Sequence, residues 1–177
     1  MEVKEALQAR RSIRKFTDEK ITKEEIDELM HAAMSGPSAV NRTPWEFYVV
    51  TDKQKLEQLK GASRYTKMDA PLAIIVCGNK LRMLPLKMSE FWVQDCSAAT
   101  ENILLRAVDI GLGSVWCGIY PQKDAAKNVA EILDLPNRHV PLNIIYIDFP
   151  EENPKEGDKY DEKKYIMYYK KRKSITS

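Results

Sequence analysis

Apolar positions along the 177 residues recur at two different periods, and the segments they mark follow one another in alternation. Val3, Ala6 and Leu7 make a short helical stripe that stops at a run of arginines. A better-signalled helix follows. Thr22 and Glu25 form a T-x-x-E capping box, and Ile26, Leu29, Met30 and Ala33 come after it at helical spacing. Gly36 and Pro37 end that helix, the glycine read as a C-terminal cap and the proline as a residue that cannot continue. Ser38 to Pro44 is a polar loop bracketed by prolines, which holds it in shape. Trp45 to Thr51 is rich in aromatic and β-branched residues and reads as a strand. Asp52 then caps a helix carrying Leu56 and Leu59, which stops near Gly61. Leu72 to Cys77 is a continuous apolar run of strand length, the pattern of a strand covered on both faces.

Residues 79–88 are mixed, with Lys80, Arg82 and Lys87 scattered among apolar residues, and carry no clear period. Ser89 to Ile110 is the longest helical pattern. Phe91, Trp92, Val93, Cys96, Ala98, Ala99, Ile103, Leu104, Leu105, Ala107 and Val108 leave it apolar on more than one side. Such a helix is buried, either centrally in the fold or at a subunit contact. Gly111 closes it. Ser114 to Tyr120 is strand-like, Pro121 and Asp124 open a helix with Ala126, Val129, Ala130 and Leu133, and Leu142 to Phe149 is a last strand. Beyond it, residues 150–164 are mostly Pro, Glu, Lys, Asp and Gly, too polar to fold locally. Tyr165-Ile166-Met167-Tyr168-Tyr169 then forms an aromatic patch that wants a surface, such as a neighbouring subunit. The order of elements predicts a layered domain. The long central helix and the tail suit α+β better than α/β.

Composition narrows the classes. Hydrophobic residues make up 44% and charged residues 31%, values of a globular protein, here read as one domain over 1–177 with an extended arm from 150. The net charge is +2 and the pI near 8.3, which gives no sign of a duplex-binding surface, so no nucleic-acid partner is expected. The one late basic run, Lys170 to Lys173, reads as a solvated tail. No apolar run approaches the roughly 20 residues of a membrane span, so no membrane is expected. Met1 leads straight into Glu2, Lys4 and Glu5 rather than a signal sequence. Cys77, Cys96 and Cys117, odd in number and set in apolar segments, read as buried reduced thiols, and a cytoplasmic location follows.

Local catalytic motifs are missing. Gly111 and Gly113 would need a glycine where Trp116 stands to make a dinucleotide fingerprint, and they follow a helix rather than a strand. Ser114 lacks the glycines of a nucleophile elbow. His31 and His139 are too few for a triad or a metal cluster, read as surface residues, and no metal is expected. Glu151, Glu152, Asp161 and Glu162 sit in the arm and read as solubility residues. One stretch stands out: Arg10-Arg11-Ser12-Ile13-Arg14-Lys15-Phe16 packs four cations, a hydroxyl and two apolar anchors into seven residues. Alone it is most simply a solvated basic loop. Beside so few catalytic side chains it suits a cofactor that carries the chemistry itself, phosphorylated, planar and partly apolar.

Four segments in order, R-R-S-I-R-K-F (10–16), G-P-S-A-V-N-R-T-P-W-E-F (36–47), Q-D-C-S-A-A-T-E-N-I-L-L-R-A (94–107) and G-L-G-S-V-W-C-G (111–118), closely resemble the nitroreductase family. The resemblance runs from about residue 2 to 149. It implies an α+β nitroreductase-like fold, a mostly antiparallel or mixed sheet flanked by helices, in a homodimer with a domain-swapped C-terminal arm and the long helix at its centre. It implies FMN as cofactor, NAD(P)H as hydride donor and a small nitroaromatic, quinone or similar acceptor. Arg10, Arg11, Ser12 and Arg14 would be FMN contacts, with Arg10 and Ser12 at the phosphate and Arg14 near N1 and O2 of the ring. Pro37, Ser38, Ala39 and Asn41 would reach the flavin from the partner subunit. Cys117 and Gly118 lie where a backbone N–H meets flavin N5, Gly118 being the sharper candidate and Cys117 a small buried residue. Lys159 is the nearest match to a late phosphate contact, with Arg172 a poorer one. Thr43 departs from the family's glutamine and is shorter, and Trp45 reads as core. The alternatives are a flavoenzyme of the same fold doing flavin fragmentation or reductive dehalogenation, or a non-catalytic FMN binder.

Overall fold

In the computed structural model, residues 1–17, 19–155 and 159–168 are described. The elements follow the predicted order: α1 (Val3–Ala9), α2 (Lys23–Met34), β1 (Trp45–Val50), α3 (Lys53–Lys60), β2 (Leu72–Asn79), α4 (Phe91–Asp109), β3 (Gly113–Gly118), α5 (Lys123–Ile132) and β4 (His139–Asp148). The four strands form one sheet in the order β1-β2-β4-β3, antiparallel throughout. Helices alternating with strands would suit a parallel sheet, but the strand order here brings each neighbour back in the opposite sense. The architecture is therefore α+β.

Both faces of the sheet are covered. On one, Ile74, Val76, Ile145 and Ile147 meet Cys96, Ala99, Ile103 and Ala107 of α4, with Leu29 and Ala33 of α2 behind. On the other, Ile75, Cys77, Ile144 and Tyr146 meet Leu56 and Leu59 of α3 and Val129 of α5. The central strand β2 is buried at every position, as its unbroken apolar run requires. Each such aliphatic side chain contributes roughly 1.5–3 kcal/mol on burial. All three cysteines are buried and free.

Local signals behave as read, with four corrections. The Thr22–Glu25 capping box is formed, and Asp52 accepts the Lys55 N–H at the start of α3. Gly36 is not a left-handed cap: Ser35 ends α2, and Gly36 is needed because a Cβ would stand 3.3 Å from the Ala99 nitrogen of α4. The true left-handed cap is Gly111 after α4, at φ +83. The last strand begins at His139, earlier than Leu142, because a register shift between Val76 and Cys77 lets Pro141 sit in the ladder. His139 is no ordinary surface residue; its Nδ1 lies 2.5 Å from the Tyr48 hydroxyl, and burial lowers its pKa below the usual histidine value.

The arm beyond β4 is also less independent than its composition suggests. Phe16 bridges Pro150, Thr17 N–H donates to the Phe149 carbonyl, and Glu151 N–H donates to that of Lys15. Tyr165 to Tyr168 are exposed, while Tyr169 and Lys170 to Lys173 lie outside the described residues.

Gly78 shows how tightly the α4 face is packed. A Cβ there would fall 2.6 Å from the Met83 methyl and closer still to the Trp92 ring, which Tyr120 holds edge-on at 5.0 Å. Gly78→Ala is expected to cost about 1–3 kcal/mol by overpacking. A urea-denaturation midpoint equal to that of the unaltered protein would refute this packing.

Candidate functional site

The basic segment runs along the outer edge of β3. Ser12 bridges Ser114 in parallel, and Ile13 N–H donates to the Ser114 carbonyl at 3.0 Å. Ile13 is buried against Gly113, where a Cβ would fall 2.8 Å from its Cγ2, so only glycine lets the segment dock this closely. The alternation of apolar anchors and cations now has a reason. Ile13 turns inward and Phe16 is half-buried, while Ser12, Arg14 and Lys15 stay exposed.

From Trp116 on, no strand lies outside β3 among the described residues. In an antiparallel ladder the N–H and C=O of one residue face the same neighbour, and successive residues alternate. Ser114 presents its carbonyl outward to Ile13, and Ile119 N–H donates inward to Leu142 of β4. Trp116 and Gly118 share the parity of Ser114, so their backbone N–H groups face the open edge. A Cβ at Gly118 would meet nothing within 4 Å, which leaves room for a flat group against the strand. Cys117 points the other way, into the core, and burial pushes its thiol up to about 11. The Arg14 charge acts on the same thiol in the opposite sense, favouring the thiolate that burial disfavours.

The sequence-predicted contacts fall into two groups at opposite sides of the sheet. Arg10, Arg11, Ser12, Arg14, Cys117 and Gly118 gather at the β3 edge. Arg10 Nε lies 3.5 Å from a Glu101 carboxylate oxygen on α4, with its Nη donors free of any described partner. Pro37, Ser38, Ala39 and Asn41 belong to the loop that leads into β1, the other edge strand. That loop is fixed onto α4: Ala39 N–H donates to buried Asp95 at 2.8 Å, and Ser38 Oγ accepts the Thr43 N–H. No described hydrogen bond or ion pair joins the two groups. Lys159 is exposed on the arm and likewise has none to Arg10–Arg14. Trp45 is core, as read.

Glu152 is the residue that sequence reasoning missed. Its Oε1 accepts from Arg14 N–H at 2.7 Å and from Lys15 N–H at 3.3 Å, clamping the middle of the basic segment. It is therefore not a mere solubility residue. No local pattern could signal a contact across 138 positions.

The comparisons with known proteins come to the same fold. The Nitroreductase family model matches residues 7–65 and 57–147. A candidate NADH dehydrogenase/NAD(P)H nitroreductase of Methanothermobacter thermautotrophicus is 44% identical over 164 residues, 91% of this chain and 84% of that one. A crystal structure of a protein of that same description from Bacteroides thetaiotaomicron has a TM-score of 0.87 at 40% identity, covering 94% of this chain and 96% of its own. An FMN-dependent nitroreductase of Clostridium difficile has a TM-score of 0.84 at 32% identity, covering 93% and 98%. The α+β layers described above are thus those of an FMN-dependent family. The chain belongs to the nitroreductase family.

The Glu152 clamp is testable by itself. The two N–H donors, Arg14 foremost, hold its carboxyl below the usual 4.5, so its support is present above that value and lost as pH falls below it. Glu152→Ala is expected to lower the amide-exchange protection of Ile13 to Phe16 several-fold at neutral pH, and at a common acidic pH the protection factors of the two proteins should converge. Equal exchange in both proteins at pH 7 would rule out the clamp.

Proposed function

We propose that the protein is a homodimeric FMN-dependent oxidoreductase that takes hydride from NADH or NADPH and delivers it to a small acceptor of the nitroaromatic or quinone type. The observation that carries this reading is the outward-facing Gly118 N–H on an open strand edge, with the basic segment docked on the same strand through Ser12 and Ile13. The residues fit the cofactor. Open space at Gly118 admits a ring system, and exposed Ser12 with the free Nη donors of Arg10 offers the hydrogen bonds a phosphate accepts.

Bound FMN would supply the hydride-accepting N5 and the route onward to the acceptor. The chain supplies the surroundings. Gly118 N–H donates toward N5, Arg14 stabilises negative charge at the N1 and O2 edge, and Arg10, Arg11 and Ser12 hold the phosphate end. Donor and acceptor would use one open face in turn, which makes a ping-pong order natural. No side chain is needed as a nucleophile, and solvent serves as proton source.

The dimer follows from the divided site. The loop residues Pro37, Ser38, Ala39 and Asn41 stand at the β1 side, three strand spacings of about 4.8 Å each from β3. A second copy can bring its loop to this chain's β3 edge, where its own loop cannot reach. Ala98, Leu105 and Val108, half-buried on the side of α4 turned from the sheet, together with exposed Val3 and Leu7 of α1, offer apolar surface for that contact. The exposed aromatic residues of the arm would lie on the partner, and Lys159 with them. Thr43 contributes no side-chain amide to the flavin.

Purified protein should be yellow, and anaerobic addition of NADH or NADPH should bleach it; protein that keeps its colour under both is not a reductase. Arg14→Ala should make the flavin midpoint potential more negative by about 30 mV or more, a tenfold effect on a two-electron couple. An unchanged potential would remove Arg14 from the ring.

A further inference from the structure

The loop 37–44 and the turn 79–89 pack on each other. Asn79 N–H donates to the Pro44 carbonyl at 2.6 Å, Arg42 Nε–H to the Arg82 carbonyl at 3.0 Å, and the Arg82 guanidinium to the Thr43 carbonyl at 3.5 Å. Their charge is lopsided. Arg42, Lys80, Arg82 and Lys87 fall in these two stretches, and neither contains an aspartate or a glutamate. Lys23, Lys60, Arg106 and Lys127 elsewhere each meet a carboxylate, whereas none of these four does so among the described residues. Arg42 and Arg82 are exposed side by side, anchored by backbone carbonyls that orient a guanidinium without neutralising it.

Two further observations mark the surface as a ligand site. Val40, Asn41 and Thr43 hold φ of 52, 53 and 43, a left-handed conformation unfavourable for β-branched residues and typical of ligand clamps. Leu81 and Leu86, in the same turn as Arg82, are 74% and 89% exposed, and Val40 and Met88 of the two stretches are exposed as well. Apolar surface next to unpaired guanidiniums suits a flat heterocycle that carries phosphate.

We propose that Arg42 and Arg82 form the phosphate subsite for the nicotinamide dinucleotide donor. The inference rests on the reading that loop 37–41 closes over the partner subunit's flavin, since Arg42 is then the next residue outward. An enzyme of this kind handles two phosphorylated ligands, and the cations of residues 10–14 are taken by the first at the opposite edge of the sheet. Arg42 and Arg82 are left for the second. Guanidinium meets phosphate with paired N–H donors, which a lysine cannot reproduce.

The test uses FMN-loaded protein, with NADPH and NADH each varied in anaerobic stopped-flow reduction of the flavin. Arg42→Ala and Arg82→Ala should each raise the half-saturating donor concentration about tenfold, the usual effect of removing one charge-assisted hydrogen bond. The limiting rate and the FMN content should be unchanged, and the wild-type salt dependence should flatten in the double variant. A rise confined to NADPH assigns the 2′-phosphate, and a rise with both donors assigns the diphosphate; either supports the subsite. Unchanged half-saturation in the double variant, or loss of FMN from it, overturns the proposal. Wild-type protein that neither donor reduces would instead sink the oxidoreductase reading itself.

Discussion

The contact on which the site depends is the seating of Ile13 on Gly113. It is small, one side chain against a missing Cβ, yet it fixes the basic segment to the outer edge of β3 together with the Ile13 N–H bond to Ser114. Once that register is set, the parity of the strand follows. Ser114 is engaged by the segment, and Trp116 and Gly118 present their backbone groups beyond its end. The hydroxyl of Ser12 and the guanidinium of Arg14 are carried to that edge by two anchored neighbours, Ile13 and Phe16. Glu152 completes the hold by accepting the two amide hydrogens that the turn leaves free. A charged loop thus acquires a defined shape through one apolar contact and one carboxylate, both far from it in sequence.

The division of the site across the sheet is the second organising fact. The sheet has two edges, and the two groups of candidate residues stand one at each. The strand order β1-β2-β4-β3 puts two strands between them, β2 buried throughout and β4 buried from Pro141 on. In the proposed homodimer a second copy related by symmetry would supply what is missing, since each edge would then serve the other chain. Within one chain the same geometry separates the two sets of cations, those of residues 10–14 from Arg42 and Arg82.

Much of the architecture was legible in the pattern of apolar positions. The strand over Leu72 to Cys77, the capping box at Thr22 and Glu25, and the long helix apolar on several sides all reflect short-range rules that the tertiary structure leaves intact. The departures occur where a distant contact overrides a local one. Gly36 looked like a cap but is small because α4 passes against it. The last strand looked as if it began at Leu142 but reaches back to His139, with Pro141 tolerated in the ladder beside the register shift at Leu142. His139 looked exposed, yet packs against Tyr48 on a neighbouring region of the fold.

Of the candidate site, the sequence by itself determined the chemical inventory. The cations and hydroxyl of residues 10–14, the glycine at 118 and the three cysteines are matters of residue identity, and no fold could change them. Which of these share an edge, which way Gly118 turns its N–H, and which acid holds Arg14 were decided only by the tertiary structure. Strand parity depends on the register between β3 and β4, and register depends on packing across both faces of the sheet at once. The pairing of Arg42 with Arg82 is of the same kind, two cations 40 positions apart joined by the return of a chain. Local sequence carries the donors and acceptors; long-range packing decides where they point.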